Sequence, residues 1–197
     1  MKFGPDRLAD LLAALDRQLE LLGSPPVVVA VCGGSALAAL GLVLRTTRDV
    51  DVLGLVRKTG RGVVVGPLAR LPAGLAEAAG RVARDFGLPE DWLNLGPAPQ
   101  VEKGLPDGFG SRLTPRRYGK RLTVYYASRF DQIHLKLYAA VDQGGYHVQD
   151  LALLKPTTDE LLAAARWTLS QDVSDAFRMS LVDFLRANGY EEVAKAL

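Results

Sequence analysis

A glycine turn followed by two closely spaced aspartates is the part of this chain best suited to chemistry. Gly33, Gly34 and Ser35 stand at the end of an apolar run, and Asp49 and Asp51 follow with one residue between them. Glycine lets a ligand approach the backbone, and the free N–H groups at the start of a helix attract phosphate. Two neighbouring carboxylates repel each other, and a divalent cation relieves that repulsion. The pattern therefore predicts a site for a nucleotide and a metal ion.

The elements that would position these residues can be read from the sequence around them. Residues 27–32 are apolar and lie between prolines and glycines, which predicts a buried strand, and residues 36–44 then predict a helix. Side chains alternate along a strand, so Asp49 and Asp51 should share one face of the next strand while the valines beside them point to the other. Both carboxylates would then stand together near the glycine turn.

Magnesium suits this pair of carboxylates. It prefers hard oxygen ligands and keeps water and substrate phosphate in its coordination shell, so two protein carboxylates suffice to hold it. We expect Asp49 and Asp51 to bind Mg²⁺ or Mn²⁺, and Gly33, Gly34 and Ser35 to contact phosphates. The alternative is that the Asp-x-Asp pair is a solvated strand edge, or a structural charge near the arginines that precede it.

Composition limits the class of protein. With 197 residues, 48% of them hydrophobic and 23% charged, the chain can bury one sizeable core and carry a helical extension. No apolar run is long enough to span a membrane and the N-terminus lacks a secretory pattern, so we expect a soluble cytoplasmic protein with no membrane partner. Cys32 is the only cysteine, which excludes an internal disulfide and predicts a buried packing residue.

Strand patterns occupy the first two thirds of the chain and helix patterns occupy the end. Beyond the segments already given, helices are predicted over 6–22 and 72–87, and residues 63–65 predict a short strand or a wall of a substrate pocket. A loop with a short helical turn is predicted over 91–110, and a strand over 122–127. From residue 129 a helix is predicted that ends at Gly144-Gly145. Further helices are predicted over 147–154, 158–169, 173–188 and 191–197, with an N-terminal cap at Thr158-Asp159-Glu160 for the second of them. The prediction is an α+β protein, in which residues 1–128 form a small mixed sheet flanked by helices and residues 129–197 form a C-terminal helical bundle packed on that core.

A basic cluster precedes the helical part of the chain. Between positions 112 and 129 no acidic residue occurs, and the basic residues are Arg112, Arg116, Arg117, Lys120, Arg121 and Arg129. Such a cluster could contact nucleic-acid phosphates while Tyr118, Tyr125 and Tyr126 stack on bases. The alternative is a solvated basic hairpin or loop, with Tyr125 or Tyr126 in the core.

The order of the motifs resembles that of a known family. The motifs are Gly33-Gly34-Ser35-Ala36-Leu37, residues 45–52, Trp92-Leu93-Asn94, Lys136-Leu137, and Asp150-Leu151 before Pro156-Thr157. This pattern resembles the nucleotidyltransferase superfamily with the polymerase-beta-like fold. It is more closely similar to predicted bacterial nucleotidyltransferases related to abortive-infection toxins, and the similarity spans about residues 30 to 170.

The resemblance implies a sheet of nucleotidyltransferase type and an activity. A nucleoside monophosphate would pass from a nucleoside triphosphate to an RNA or protein acceptor, with Asp49 and Asp51 holding the metal. The glycine turn with Ser35 would bind the triphosphate, and Lys136 would neutralise its charge in the transition state. The alternative for Lys136 is a solvated or snorkelling side chain of an amphipathic helix. Trp92 becomes a candidate for base stacking, with a role in the core or a pocket wall as the alternative.

One departure from the family pattern leaves catalysis open. Active members carry a third carboxylate on a later strand, and the equivalent residues 122–127 contain none. Asp131 could substitute or could cap a helix, and His147 stands where an acidic residue is expected before Asp150. The second hypothesis is therefore a catalytically degenerate binding or regulatory module, for example one partner of a toxin–antitoxin pair. A dinucleotide-binding domain fits less well, because Gly33-Gly34 lacks the third glycine of that fingerprint.

Overall fold

The structure is a computed structural model that describes residues 2–43, 46–60 and 62–197. Within these residues the protein is α+β, with ten helices and one mixed sheet of six strands. The chain divides into two compact units, Met1–Ser128 and Arg129–Leu197. In the part of the chain that is described, no helix is both long and apolar enough to cross a membrane.

The first unit contains the sheet. Its elements in order are α1 (Pro5–Leu21), β1 (Val27–Cys32), α2 (Gly33–Ala39), β2 (Val50–Thr59), β3 (Gly62–Gly66), α3 (Ala73–Phe86), β4 (Leu93–Asn94), α4 (Pro99–Lys103), α5 (Phe109–Arg112), β5 (Thr114–Arg117) and β6 (Leu122–Tyr126). The second unit is helical in its described elements, which are α6 (Arg129–Asp142), α7 (Tyr146–Leu153), α8 (Thr158–Gln171), α9 (Asp175–Ala187) and α10 (Glu191–Lys195).

The strand that ends in the glycine turn is the centre of the sheet. The strand order is β3-β2-β1-β6-β5, and β4 pairs with the beginning of β2. β1 is parallel to β6 and antiparallel to β2. Valines on one face of β1, β2 and β6 form a core with the leucines of α1 and α3. Because side chains alternate, the other face of β2 is the one that carries Asp51.

A β-bulge adjusts the pairing of β1 with β2. Ala30 pairs with Gly54 and Val31 pairs with Val52, so Leu53 is an extra residue on β2. An extra residue reverses the alternation of the bulged strand beyond it. Because of the bulge, Val52 and Leu55 both face the core, although they are three residues apart on β2.

Most predicted elements of the first unit are confirmed. The strand at 27–32, the valine-rich strand near 63–65 and the strand at 122–127 are β1, β3 and β6, and the helices over 6–22 and 72–87 are α1 and α3. The helix predicted over 36–44 instead begins at Gly33 and ends at Ala39, while Leu44 and Arg45 lie outside the described residues. The loop predicted over 91–110 contains β4 and the short helices α4 and α5, because a two-residue strand has no periodicity to detect.

Four residues of the basic cluster, Arg116, Arg117, Lys120 and Arg121, lie in the hairpin of β5 and β6, while Arg112 ends α5 and Arg129 begins α6. Tyr125 and Tyr126 are 6% and 1% exposed, so the prediction that they stack on nucleic-acid bases is wrong. The phenol of Tyr118 instead shares a hydrogen bond with that of Tyr126. All four residues of β5 are exposed, and Lys120 forms an ion pair with Glu20 of α1 at 2.9 Å.

A buried carboxylate fastens this hairpin to the first helix. Asp16 of α1 is 4% exposed, and its Oδ1 accepts hydrogen bonds from the backbone N–H groups of Arg121 and Leu122 at 2.7 and 2.6 Å. A Cβ built on Gly119 would overlap the same carboxylate, so the turn before β6 needs glycine there. Asp16 thereby fixes where β6 begins.

An arginine organises the second unit. The guanidinium of Arg129, at the start of α6, donates to the carbonyl oxygens of Leu154 and Lys155 and forms an ion pair with Glu160. Glu160 also accepts from the backbone N–H of Thr157, whose hydroxyl caps α8 in a capping box. The predicted cap at Thr158 is therefore one residue late. The hydrogen bond from Arg129 lowers the pKa of Glu160 below its ordinary value.

Replacing Asp16 with alanine should destabilise the protein by about 2–3 kcal/mol, because a buried backbone donor of β6 loses its charged acceptor. Asp16→Asn keeps an acceptor oxygen and should cost less. Urea unfolding midpoints measure both, with Asp10→Ala on the exposed face of α1 as the control. An Asp16→Ala protein as stable as the control would refute the role of this carboxylate.

Glu160→Gln should remove the ion pair with Arg129 but keep the capping box, since glutamine also occupies that position. The folded pKa of Glu160 is depressed, so its ionic contribution is present above the unfolded pKa of about 4.3 and is lost as pH falls through the lower folded value. Wild type should exceed the variant by about 0.5–1 kcal/mol at pH 7. Unfolding curves from pH 7 to 3 should show this difference shrinking below pH ~4.3; a difference that does not change with pH would contradict the assignment.

Candidate functional site

The glycine turn of the candidate site has a backbone that only glycine adopts easily. Gly33 has a φ of 69°, in the left-handed region, and a Cβ built on it would overlap Oδ2 of Asp51 and lie 3.0 Å from its Cγ. Both the dihedral angle and the close approach therefore require glycine. The chain passes directly from β1 into α2 at this residue. The predicted neighbourhood of Gly33 and Asp51 is thus a direct contact.

The other two residues of the turn are buried. Gly34 lies in the first turn of α2, and Ser35 is 0% exposed with its hydroxyl donating to the carbonyl of Cys32 at 3.4 Å. The side chain of Ser35 therefore braces the turn. The backbone amides at the start of α2 are the groups of this segment best suited to phosphate.

Strand pairing sets the position of Asp51. Cys32, the last residue of β1, is the antiparallel partner of Asp51. Val50 and Val52 are 1% and 0% exposed, whereas Asp51 is half-buried, as the predicted alternation requires. The valines thus anchor the strand in the core and leave the carboxylate on the opposite face.

Asp49 lies immediately before β2 and is held by a threonine. The hydroxyl of Thr47 lies 3.1 Å from the carbonyl oxygen of Asp49 and 3.2 Å from its Oδ1. Thr47 is itself buried and exchanges two backbone hydrogen bonds with Phe3, at 2.8 and 2.9 Å. The N-terminal segment therefore supports the loop that carries Asp49. This carboxylate is half-buried, so it retains access to solvent.

Asn94 is a neighbour of Asp51 that the sequence analysis did not include among the site residues. It is the partner of Asp51 in the parallel pairing of β4 with β2, and its Oδ1 accepts from the N–H of Gly96 at 2.8 Å. Trp92 anchors β4, since it is fully buried and its indole N–H donates to the carbonyl of Ala79 at 3.0 Å. The prediction of base stacking by Trp92 is therefore wrong. The Trp92-Leu93-Asn94 motif was the sequence signal for this strand.

The oxygen ligands that Asp49, Asp51 and Asn94 offer fit a hard divalent cation. Within the described residues, no group of three or more His, Cys, Asp and Glu side chains is arranged to hold a metal ion. Asp49 and Asp51 supply carboxylate oxygens, and Asn94 adds an amide oxygen on the strand that pairs with Asp51. Two carboxylates are enough for Mg²⁺ when substrate phosphate and water complete its shell. The residues present therefore suit a metal that arrives with a triphosphate.

Strand β6 supplies no carboxylate to this face. Thr123 and Tyr125 alternate with core-facing residues, and Tyr126 lies in the core with α1 and α3. Burial, reinforced by the neighbouring Tyr118, raises the pKa of Tyr126 far above its ordinary value. Tyr126 is therefore no substitute for a general base. Asp131 belongs to the second unit, where it is 0% exposed in the first turn of α6.

Lys136 belongs to a buried polar cluster of the second unit. It is 4% exposed, its ammonium lies 2.9 Å from Oδ2 of Asp150, and Asp150 is 1% exposed. Nδ1 of His147 lies 3.4 Å from the same ammonium, and the ring of Tyr146 lies 5.3 Å from it. The interpretation of Lys136 as a solvated side chain is therefore wrong. Its contact with a triphosphate stays a prediction.

Lys136→Met should destabilise the protein by about 3–5 kcal/mol, because it leaves the Asp150 carboxylate buried without its cation. The double variant Lys136→Met/Asp150→Leu should recover most of that loss, since an apolar pair replaces the ion pair at similar volume. Denaturant unfolding measures both, with Arg166→Met on the exposed face of α8 as the matched control. A double variant less stable than the single one would contradict this account.

The candidate site thus consists of a glycine turn, two carboxylates and an amide, all in the first unit. The pairing of β1, β2 and β4 places Asp51 and Asn94, whereas Thr47 holds Asp49. This arrangement combines backbone donors for phosphate with oxygen ligands for a cation. No protein-family model, no curated protein and no solved structure matches this chain.

Proposed function

We propose that this protein is a metal-dependent nucleotidyltransferase that acts on a nucleoside triphosphate. The observation that carries the proposal is the contact of Asp51 with the left-handed turn at Gly33. It brings a metal-ligating carboxylate against the backbone best suited to phosphate, as a metal–triphosphate complex requires. The acceptor would be RNA or protein, and Mg²⁺ or Mn²⁺ would be the cation.

Each residue has a definite task in this reaction. An acceptor hydroxyl oxygen bonds to the α-phosphorus, the bond from that phosphorus to the bridging oxygen breaks, pyrophosphate leaves, and the hydroxyl proton passes to solvent water. Asp49 and Asp51 would hold the cation, which neutralises phosphate charge when bound. The amides at Gly33 and Gly34 would bind the triphosphate, and Asn94 would add an amide oxygen on the strand that pairs with Asp51.

The order of the sequence motifs supports the finer part of the proposal. It favours a sheet of nucleotidyltransferase type with a C-terminal helical bundle, and a cytoplasmic protein that takes part in a toxin–antitoxin system. These assignments rest on the resemblance between motifs. Gly33 follows β1 directly, Asp51 lies on β2 and Asn94 lies on β4, so three of the motifs contribute residues to the candidate site.

A second candidate function follows from strand β6. It has no acidic residue, and the raised pKa of Tyr126 removes that phenol as a base near neutral pH. A protein that binds the metal–triphosphate complex without transferring a nucleotide would need only the residues at β1, β2 and β4. Such a protein would act as a nucleotide-dependent binding or regulatory module.

Transfer should be detectable when the protein is incubated with each α-labelled nucleoside triphosphate, Mg²⁺ and either tRNA or total lysate. Asp51→Asn should lower it by about 100-fold or more, since one of two metal ligands loses its charge. Gly33→Ala should lower it similarly, because the added methyl group overlaps the Asp51 carboxylate. Asp91→Asn, at an exposed position outside the site, is the control.

Calorimetry with triphosphate and Mg²⁺ separates the two candidate functions. Nucleotide transfer that is lost in Asp51→Asn supports the nucleotidyltransferase. Binding that depends on Asp51, without transfer to any acceptor, supports the binding module. If Asp51→Asn and wild type neither bind nor transfer, both candidates are refuted.

A further inference from the structure

A series of contacts leads from the hydrophobic core to Asp49, one of the two proposed metal ligands. Phe3 is 1% exposed and belongs to the core that the leucines of α1 form with the sheet. It makes an isolated antiparallel bridge with Thr47, which is 4% exposed. The hydroxyl of Thr47 in turn contacts Asp49. A buried anchor is therefore connected to a carboxylate that is only half-buried.

The hydroxyl of Thr47 restricts the conformation of Asp49 because it contacts two oxygens of that residue. Oγ1 of Thr47 lies 3.1 Å from the carbonyl oxygen of Asp49 and 3.2 Å from its Oδ1. Carbonyl and carboxylate oxygens only accept hydrogen bonds, so the single hydroxyl proton serves both of them. A carboxylate held against its own backbone in this way is confined to one of the staggered side-chain conformations. The hydroxyl thus fixes the orientation of the Asp49 side chain.

The second carboxylate oxygen of Asp49 remains for a cation. Among the described residues, the hydrogen bond from Thr47 is made to Oδ1, and no other hydrogen bond involves the carboxylate. A ligand that accepts an outer hydrogen bond on one atom can bind a metal with the other, and the outer partner then orients it. Loss of such a partner typically costs about 10–100-fold in metal affinity. Thr47 has the position of an outer partner of this kind.

Few contacts attach the N-terminal segment, residues 2–4, to Thr47. Phe3 and Thr47 exchange two backbone hydrogen bonds, at 2.8 and 2.9 Å. Phe3 also supplies the one buried side chain of the segment, since Lys2 is exposed and Gly4 has no side chain. Segments held by so few buried groups open locally at a lower free energy than the core does. A cation at Asp49 and the attachment of this segment would act through the same residue, Thr47, so each would shift the equilibrium of the other.

We propose that Thr47 is a positioning residue that orients Asp49 for the metal ion, and that Thr47 couples metal binding to the attachment of residues 2–4. The hydroxyl of Thr47 leaves Oδ2 of Asp49 for the cation, and the bridge to Phe3 holds that hydroxyl in place. Because coupling is reciprocal, a bound cation stabilises the bridge by the same factor by which the bridge strengthens metal binding. This inference rests on the proposed function, because it takes Asp49 as a ligand of the metal–triphosphate complex.

Metal affinity tests the positioning role. In calorimetry with Mg²⁺ and inorganic tripolyphosphate, Thr47→Val should bind about tenfold more weakly than wild type, since it keeps the branched shape but lacks the hydroxyl. Thr47→Ser retains the hydroxyl and should recover most of the affinity. Thr59→Val is the matched control, because it removes a hydroxyl that donates to the carbonyl of Gly62 at the opposite end of β2 from Asp51. All titrations are made where circular dichroism shows every variant to be folded, so lower stability alone would leave the affinity unchanged.

Hydrogen exchange tests the coupling. The amides of Phe3 and Thr47 each donate to the carbonyl of the other residue, and ¹⁵N NMR follows their exchange. A saturating concentration of Mg²⁺ with tripolyphosphate should slow the exchange of both amides by about fivefold or more in wild type, and should leave it unchanged in Thr47→Val. The amide of Gly23, which donates to Glu20 at the end of α1, is the reference for local opening elsewhere, and its exchange should not respond.

The same probe separates failure of this inference from failure of the proposed function. If the complex binds wild type but not Asp51→Asn, while Thr47→Val binds as tightly as wild type or the amides of Phe3 and Thr47 do not respond, the inference is overturned and the metal–triphosphate site stands. Weak binding by Thr47→Val that Thr47→Ser does not recover would also overturn it, because the hydroxyl would then have no special part. If wild type, Asp49→Asn and Asp51→Asn all bind equally, the proposed function and the inference fail together.

Discussion

The close approach of Asp51 to the backbone of Gly33 is the constraint on which the candidate site depends. Register makes it unavoidable, since the partner of Asp51 is Cys32 and the chain turns into α2 at the next residue. A side chain at Gly33 would have to displace the carboxylate or shift β2 against β1. Shifting β2 by one residue would turn Val50 and Val52 out of the core. Packing of the valines and access to the carboxylate are thus set by the same pairing.

Local patterns predicted the parts of this arrangement that local physics determines. An apolar run bounded by glycine identified β1, and alternation correctly assigned Val50 and Val52 to the core and Asp51 to the other face. Asn94 was not recognised as a site residue, because β4 has only two residues and exists through its pairing with β2. The Lys136–Asp150 ion pair was not predicted either, since it joins α6 to α7 and leaves no periodic signal. Sequence patterns describe a segment, whereas these contacts belong to pairs of segments.

The interactions that stabilise each unit internally differ between the two units. The first has a continuous apolar core between the sheet and α1 and α3. In the second, the buried Lys136–Asp150 pair and the contacts of Arg129 with the end of α7 and the start of α8 add charged interactions at fixed positions. A buried ion pair contributes little net stability, but any alternative packing that separates its charges is penalised. We interpret these pairs as devices that select one arrangement of the helices.

Strand β6 has no carboxylate on the face of the sheet where a third one was expected. A carboxylate there would face the side of the sheet that carries Asp51, and this chain has Thr123 and Tyr125 at the residues with that orientation. An additional acid would raise the charge repulsion among carboxylates and strengthen metal binding. Tyr125 is buried and instead lines a pocket together with Val63 of β3 and Pro115 of β5. β6 contains no acidic residue, so in the proposed transfer the group that takes the proton of the acceptor hydroxyl would have to lie outside this strand.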